Sequence, residues 1–333
     1  MNYEEIHLKK KAALISLVIG FLMFFGKMTA YLLTGSAAIF SDALESVVHI
    51  FATSFAFYSL YLSAKPADSE HPYGHGKVEY FSAGAEGTLI IVAAISILYY
   101  AIKSLIFGIE ISKLDIGVYI ITAASIINLI LGYYLIHTGK KTKSLVLVAD
   151  GKHVLTDSVT SIGAVIALVI VLFTGWIIVD PLIAAFLGLN ILWTGYRLIR
   201  TSVSGLMNEM NDEVVGKIAS SLESQKTNNP NWVDVHKLRY WKSGNKFVVD
   251  FHLVIPYYLS IKEGHDEMNK VQEVFKKIFE GEEVELMVHL DPCKPYYCKL
   301  CRKENCNVRS ETLTRKIVWG GKKIISSAAE VTV

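Results

Sequence analysis

Four side chains of metal-binding type lie inside segments otherwise apolar enough to cross a membrane. They are Glu45 and His49 in AIFSDALESVVHIFATSFAF, and His153 and Asp157 in LVADGKHVLTDSVTSIGAVI. Residues four apart share one face of an α-helix, so each pair aims two ligands at one point. Ionisable groups at membrane depth are costly and usually mark a substrate or ion path. Facing each other, the two pairs would form a nitrogen and oxygen set suited to Zn²⁺ and neighbouring divalent metals. The competing reading is that buried polar groups merely hold helices together by hydrogen bonds. That is common for Ser, Thr or Asn in membranes, but not for paired carboxylates and imidazoles. Asp42, three residues before Glu45, is either a third acidic contact or a helix cap. Lys27, Glu86 and the Asp180-Pro181 pair also fall within or beside apolar stretches, and no ligand role is assigned to them.

Three further clusters carry ligand types. Asp68, His71 and His75 fall within eight residues of a Gly/Pro-containing loop, PADSEHPYGHGKVEY, which is either a metal site or a loop with surface histidines. His236, His252, His265, His289 and Asp291 are scattered over the C-terminal third. His236 and His252 lie on strands joined by a hairpin, and His289 and Asp291 point the same way from one strand. Cys293, Cys298, Cys301 and Cys306 are the only cysteines and lie within fourteen residues. Their spacing fits a closed structural zinc site. It also partly matches plant-type iron–sulfur proteins, in which the fourth cysteine is further away. Free reduced thiols are the third reading.

These residues need elements to position them. The chain has 333 residues, 52% hydrophobic and 19% charged, below the quarter or so of charged residues usual in soluble domains. The deficit is concentrated before residue 200. Six stretches, about 12–34, 37–63, 80–107, 114–137, 144–174 and 176–200, are long enough to span hydrocarbon. Lys9, Lys10, Lys11, Lys65, Lys77, Lys140, Lys141, Lys143, Arg197 and Arg200 crowd the termini and even-numbered loops, which predicts both termini in the cytoplasm. That reducing compartment favours metal binding over disulfides. The remainder reads as helix, strand, strand, helix, strand, a small cytoplasmic α/β domain of ferredoxin-like order. In KFVVDFHLVI, residues Phe247, Val249, Phe251, Leu253 and Ile255 share one face. Residues 1–205 are thus expected to form a membrane domain, 206–292 a soluble domain and 293–333 a Cys-rich tail without strong periodicity. No Lys/Arg groove interleaved with aromatics suggests nucleic acid.

The TGSAAIFSDALES run, the HPYGHGKVEYFSAG loop, HVLTD, VDVHKLR and the closing VHLDPC make the chain resemble the cation diffusion facilitators over about residues 10–292. Members are six-helix divalent-metal/proton antiporters with a cytoplasmic dimerisation domain. The resemblance implies a transport site at Glu45, His49, His153 and Asp157 and a loop site at Asp68, His71 and His75. It also implies a cytoplasmic site at His236, His252, His289 and Asp291, with His265 bridging. It further implies a homodimer in the cell (inner) membrane. Expected traffic is efflux of Zn²⁺, or of Fe²⁺ or another first-row metal, and no catalysis. Lys77 matches a basic residue that pairs with an acid in some members. The acid position here is Asn208, beside Glu209. The chain departs from zinc-moving members at Glu45-x-x-x-His49, where they carry His-x-x-x-Asp or Asp-x-x-x-Asp, and the four-cysteine tail is absent from the simplest members. A membrane-anchored metal sensor is the rival reading, but an anchor does not need ligand pairs in its helices. An intramembrane metalloprotease is another, but no His-Glu-x-x-His stretch is present.

Overall fold

The computed structural model describes residues 3–63, 65–108, 114–141, 145–244 and 246–326. The chain divides into two compact units, Met1–Tyr61 with Tyr80–Val203, and Leu62–Glu79 with Ser204–Val333.

The first unit is helical: α1 (Tyr3–Thr34), α2 (Ala37–Ser63), α3 (Val78–Phe107), α4 (Leu114–Lys141), α5 (Leu145–Thr174) and α6 (Val179–Leu206). Five of these are long and apolar enough to cross a membrane. The sixth, α2, is 27 residues long and carries Asp42, Glu45 and His49. Large apolar side chains such as Leu22, Phe107, Phe173 and Phe186 face outward, which suits a lipid surface. Glycine pairs let backbones approach, as small residues do in membrane bundles. A Cβ on Gly132 or Gly151 would press on the other's carbonyl between α4 and α5, and Gly87 and Gly195 are similarly matched between α3 and α6.

Several buried polar and charged groups inside this unit are paired. Ser36 accepts the backbone N–H of Ile39 at 3.2 Å and so caps α2. Its hydroxyl donates to Asp180, which also accepts the Ala37 N–H at 2.7 Å. The Asp180-Pro181 pair is thus where α6 holds the positive end of α2. Lys27 donates to Asp42 at 2.8 Å with both side chains 1% exposed, and the Ser161 hydroxyl donates to the same carboxylate. Asp42 is therefore the counter-ion of Lys27 rather than a cap.

The second unit contains α7 (Asp212–Lys226), β1 (Asp234–Ser243), β2 (Lys246–Ile255), α8 (Ile261–Ile278) and β3 (Glu283–Pro292). The sheet order is β1-β2-β3, with β1–β2 antiparallel and β2–β3 parallel. Asn211 caps α7, and Ser260 with Glu263 forms a capping box on α8. The alternating face of β2 packs Phe247, Val249, Phe251, Leu253 and Ile255 with Val215, Ile218 and Leu222 of α7 and Val271 and Phe275 of α8. The tail has more order than its lack of periodicity suggests. It forms a 3₁₀ turn at Pro295–Lys299 and α9 (Gly321–Ile325), and it inserts Trp319 and Ile324 into that core. The Lys226 ammonium lies 4.1 Å from the Trp319 ring centre. Residues 327–333 fall outside the described residues.

The 62–79 segment groups with this unit rather than with the helices that flank it. Tyr73 meets Trp241 edge-on at 5.9 Å, and Gly76 packs so close to Ser243 and Gly244 that any Cβ would overlap their backbone. Lys77 donates to the Asn208 amide oxygen at 3.0 Å within the chain. Asn208 sits at φ 57°, a left-handed conformation that asparagine tolerates better than most residues.

Removing one member of a buried ion pair strands the other charge, at a cost of about 3–5 kcal/mol. Lys27→Met should therefore lower the thermal unfolding temperature in detergent, and adding Asp42→Leu should recover most of the loss. Equal destabilisation by the single and double variants would contradict this pairing.

Candidate metal centres

Among the described residues, three groups place ligand atoms within 4.8 Å of one another: His49, His153 and Asp157; Asp68, His71 and His75; and His236, His252 and Asp291.

The first group joins α2 to α5. His49 Nδ1 lies 4.0 Å from Asp157 Oδ2, His153 Nε2 lies 3.9 Å from Asp157 Oδ1, and the two imidazole centres are 4.7 Å apart. Glu45 is not part of this group. His49 contacts Asp150 and Asp157 of α5, while Glu45 accepts the Thr160 hydroxyl at 2.9 Å. Glu45 nevertheless lies within electrostatic range of Asp157. Asp150 lies 3.4 Å from His49 Nε2 and accepts the Ser16 hydroxyl at 2.8 Å. Sequence reasoning missed Asp150, although Asp150, His153 and Asp157 form an i, i+3, i+7 stripe on one helix face. Glu86 lies within electrostatic range of both imidazoles.

The second group is a compact loop. Asp68 accepts the His71 backbone N–H at 2.7 Å and that of Glu70 at 3.0 Å. Its carboxyl is held below the usual range, chiefly by the His71 N–H. His71 Nδ1 and His75 Nε2 approach the carboxylate at 3.2 and 3.3 Å. Asp68 and His71 are exposed and His75 is half-buried.

The third group is made by strand register. His236 pairs with His252 and His252 with His289, so three imidazoles form a row across the sheet on the face opposite the Phe247–Ile255 set. The ring centres are 5.1 Å apart for His236 and His252, and 4.5 Å for His252 and His289. Asp291 reaches all three, at 3.6, 2.8 and 3.2 Å for His236, His252 and His289 respectively. Asp234, 1% exposed and unnoticed in the sequence, sits 3.5 Å from His236 Nδ1 and accepts a hydrogen bond from Lys323 of the tail at 3.1 Å. His265 does not join the row. It stands exposed on α8, which covers the other face of the sheet.

Cys293, Cys298, Cys301 and Cys306 are free thiols that line one cavity of about 120 Å³. Among the described residues they do not form a group as close as the other three. Burial pushes the Cys293 thiol up, and the neighbouring thiols add to this. Cys298 is half-buried, and against the desolvation this brings it is held below the usual thiol range by hydrogen bonds from Ser310 and the Glu311 backbone and by the Arg309 charge. Tyr258 is pushed up to about 12 by burial and by its neighbour Cys306.

A family profile described as the cation efflux transmembrane domain matches residues 13–207, and one described as the cation efflux protein cytoplasmic domain matches residues 210–293. An uncharacterised transporter of Synechocystis is 37% identical over 267 residues, covering 80% of this chain and 84% of that protein. The manganese efflux system protein MneP of Bacillus subtilis is 26% identical, covering 88% and 99%. The cation-efflux pump FieF of Citrobacter koseri is 28% identical, covering 88% and 96%.

Partners that orient a metal-binding imidazole typically contribute about 10–100-fold in affinity. Asp150→Asn should weaken metal binding by about that range in detergent titrations, with Ser16→Ala showing a smaller loss in the same direction. Unchanged affinity in Asp150→Asn would mean that this carboxylate does not orient His49.

Proposed function

This chain belongs to the cation efflux family, and on that premise we propose that it exports a divalent transition metal, Zn²⁺ first, from the cytoplasm in exchange for protons. The observation that carries this reading is the convergence of His49, His153 and Asp157 on two helices of an apolar bundle. Two imidazoles and a carboxylate suit Zn²⁺, and also Fe²⁺, Co²⁺ or Ni²⁺, better than they suit Mn²⁺, which favours oxygen ligands. One relative carries manganese in its name, so Mn²⁺ belongs among the competitors tested. Glu45 stands one helical turn from His49, within electrostatic range of Asp157 and bonded to Thr160 of α5. We assign it a supporting role, as a fourth ligand after a small shift or as a proton acceptor.

Metal ligands bind only when deprotonated, so binding and proton release are linked. Imidazole exchanges protons near physiological pH, which lets His49 and His153 alternate between holding metal and holding protons. α2 and α5 would rock against the rest of the bundle, exposing the site to one side and then the other. In this reading both termini are cytoplasmic, the protein sits in the cell membrane, and the sheet unit dimerises. Its row of His236, His252, His289 and Asp291 senses or stabilises rather than transports. The Asp68, His71 and His75 loop is a second cytoplasmic metal site.

Purified protein in vesicles should move Zn²⁺ with counter-flow of protons. Asp157→Ala should reduce both to the level of protein-free vesicles, while His265→Ala leaves them unchanged. Wild-type flux in Asp157→Ala would remove the site assignment. Zn²⁺ movement without proton flux would remove the antiport mechanism.

A further inference from the structure

The four cysteines begin at the last residue matched by the family profiles and run past it. We propose that Cys293, Cys298, Cys301 and Cys306 form a closed tetrathiolate Zn²⁺ site that fastens the C-terminal tail to the sheet unit.

All four residues line one cavity of about 120 Å³. Cys293 follows β3 directly and its N–H is bonded to the Ile255 carbonyl at 2.8 Å, so the first thiol is fixed to the sheet. Cys298 and Cys301 are a C-x-x-C pair at the 3₁₀ turn, where the Cys301 N–H bonds to the Tyr297 carbonyl at 3.0 Å. That spacing brings two sulphurs to one side of a short turn, as zinc ribbons do. The Arg309 guanidinium donates to the carbonyls of Cys298, Cys301 and Lys303 at 3.1, 2.9 and 2.7 Å, gathering the loop around the thiols. The Ser310 hydroxyl donates to Cys298 Sγ at 3.5 Å, the type of outer contact that orients a metal-bound thiolate. The loop is seated by Tyr297, Leu300 and Cys301 packing on Val233 and Val254.

Charge supports the same conclusion. Each thiol gives up its proton on binding, so four thiolates around Zn²⁺ leave a net charge of minus two. Between Cys293 and Ile317 the chain carries seven Lys and Arg against two Glu. Zn²⁺ fits better than an iron–sulfur cluster because the fourth cysteine follows only five residues after the third, whereas plant-type clusters take it from further away. What the site would hold in place is visible downstream. Trp319 is 1% exposed in the core, and Lys323 bonds Asp234 beside His236.

The test uses the full chain, purified without oxidant. Loaded with Co²⁺ alone, it should show thiolate-to-cobalt charge-transfer absorption in the near ultraviolet, which histidine and carboxylate sites do not give. Loaded with Zn²⁺ alone, it should hold one more ion per chain than Cys298→Ser/Cys301→Ser. On the wild-type protein, which bypasses any folding defect in the variant, all four thiols should resist a thiol reagent until a strong chelator removes zinc. Amide exchange at residues 295–326 should then rise. Absent charge transfer, thiols that react before chelation, or iron with acid-labile sulfide in the purified protein would each overturn the proposal. These readouts do not involve transport and stand or fall apart from it.

Discussion

An ionisable side chain inside an apolar helix bundle persists only with a partner, and that demand ties α1, α2, α5 and α6 together. Lys27 of α1 is buried against Asp42 of α2 with Ser161 of α5 as the third member. Asp180 of α6 closes the positive end of α2. These contacts fix the position of α2, and α2 presents His49 to the α5 stripe. Uncompensated burial of any of these groups would cost several kcal/mol. Among the described residues of this unit, the group at His49, His153 and Asp157 is where ionisable side chains also suit a divalent ion. An ion entering there replaces hydrogen-bonding partners rather than creating a new polar hole.

The sheet unit reaches a comparable result by register. Because β-strand side chains alternate, one face of β2 supplies the aromatic and aliphatic core, and the other face is free for His252. Pairing then places His236 and His289 on either side of it. The bulge after His236 and the positive φ of Lys237 break the β1 ladder just beyond the row. The tail adds to this unit from two directions, through the thiol loop after β3 and through Lys323 on Asp234.

Much of this was legible in the sequence because it rests on periodicity. Six apolar stretches, the strand alternation through Phe247–Ile255 and the helix–strand order all follow from local patterns. The spacing of His153 and Asp157, and of Asp68, His71 and His75, is likewise local. What was not legible depends on how separate elements meet. Glu45 takes the Thr160 hydroxyl, a contact set by how α2 meets α5, and no spacing within α2 encodes that. His265 is set apart because α8 covers the core face of the sheet. The burial of Trp319 needs a tail that returns to the core after some 25 residues without periodicity. Asp150 was readable as part of a stripe, but LVADGKH looked like a polar helix end. Lys27 and Asp42 were each visible as an oddity, and only the fold makes them a pair.

The most direct test of the central claim is anomalous diffraction from crystals of the full chain soaked in Zn²⁺, with data on both sides of the zinc edge. The account predicts a peak between α2 and α5 at about 2.0–2.2 Å from His49, His153 and Asp157. A map with a filled site at His236, His252 and Asp291 but no peak between α2 and α5 would contradict it.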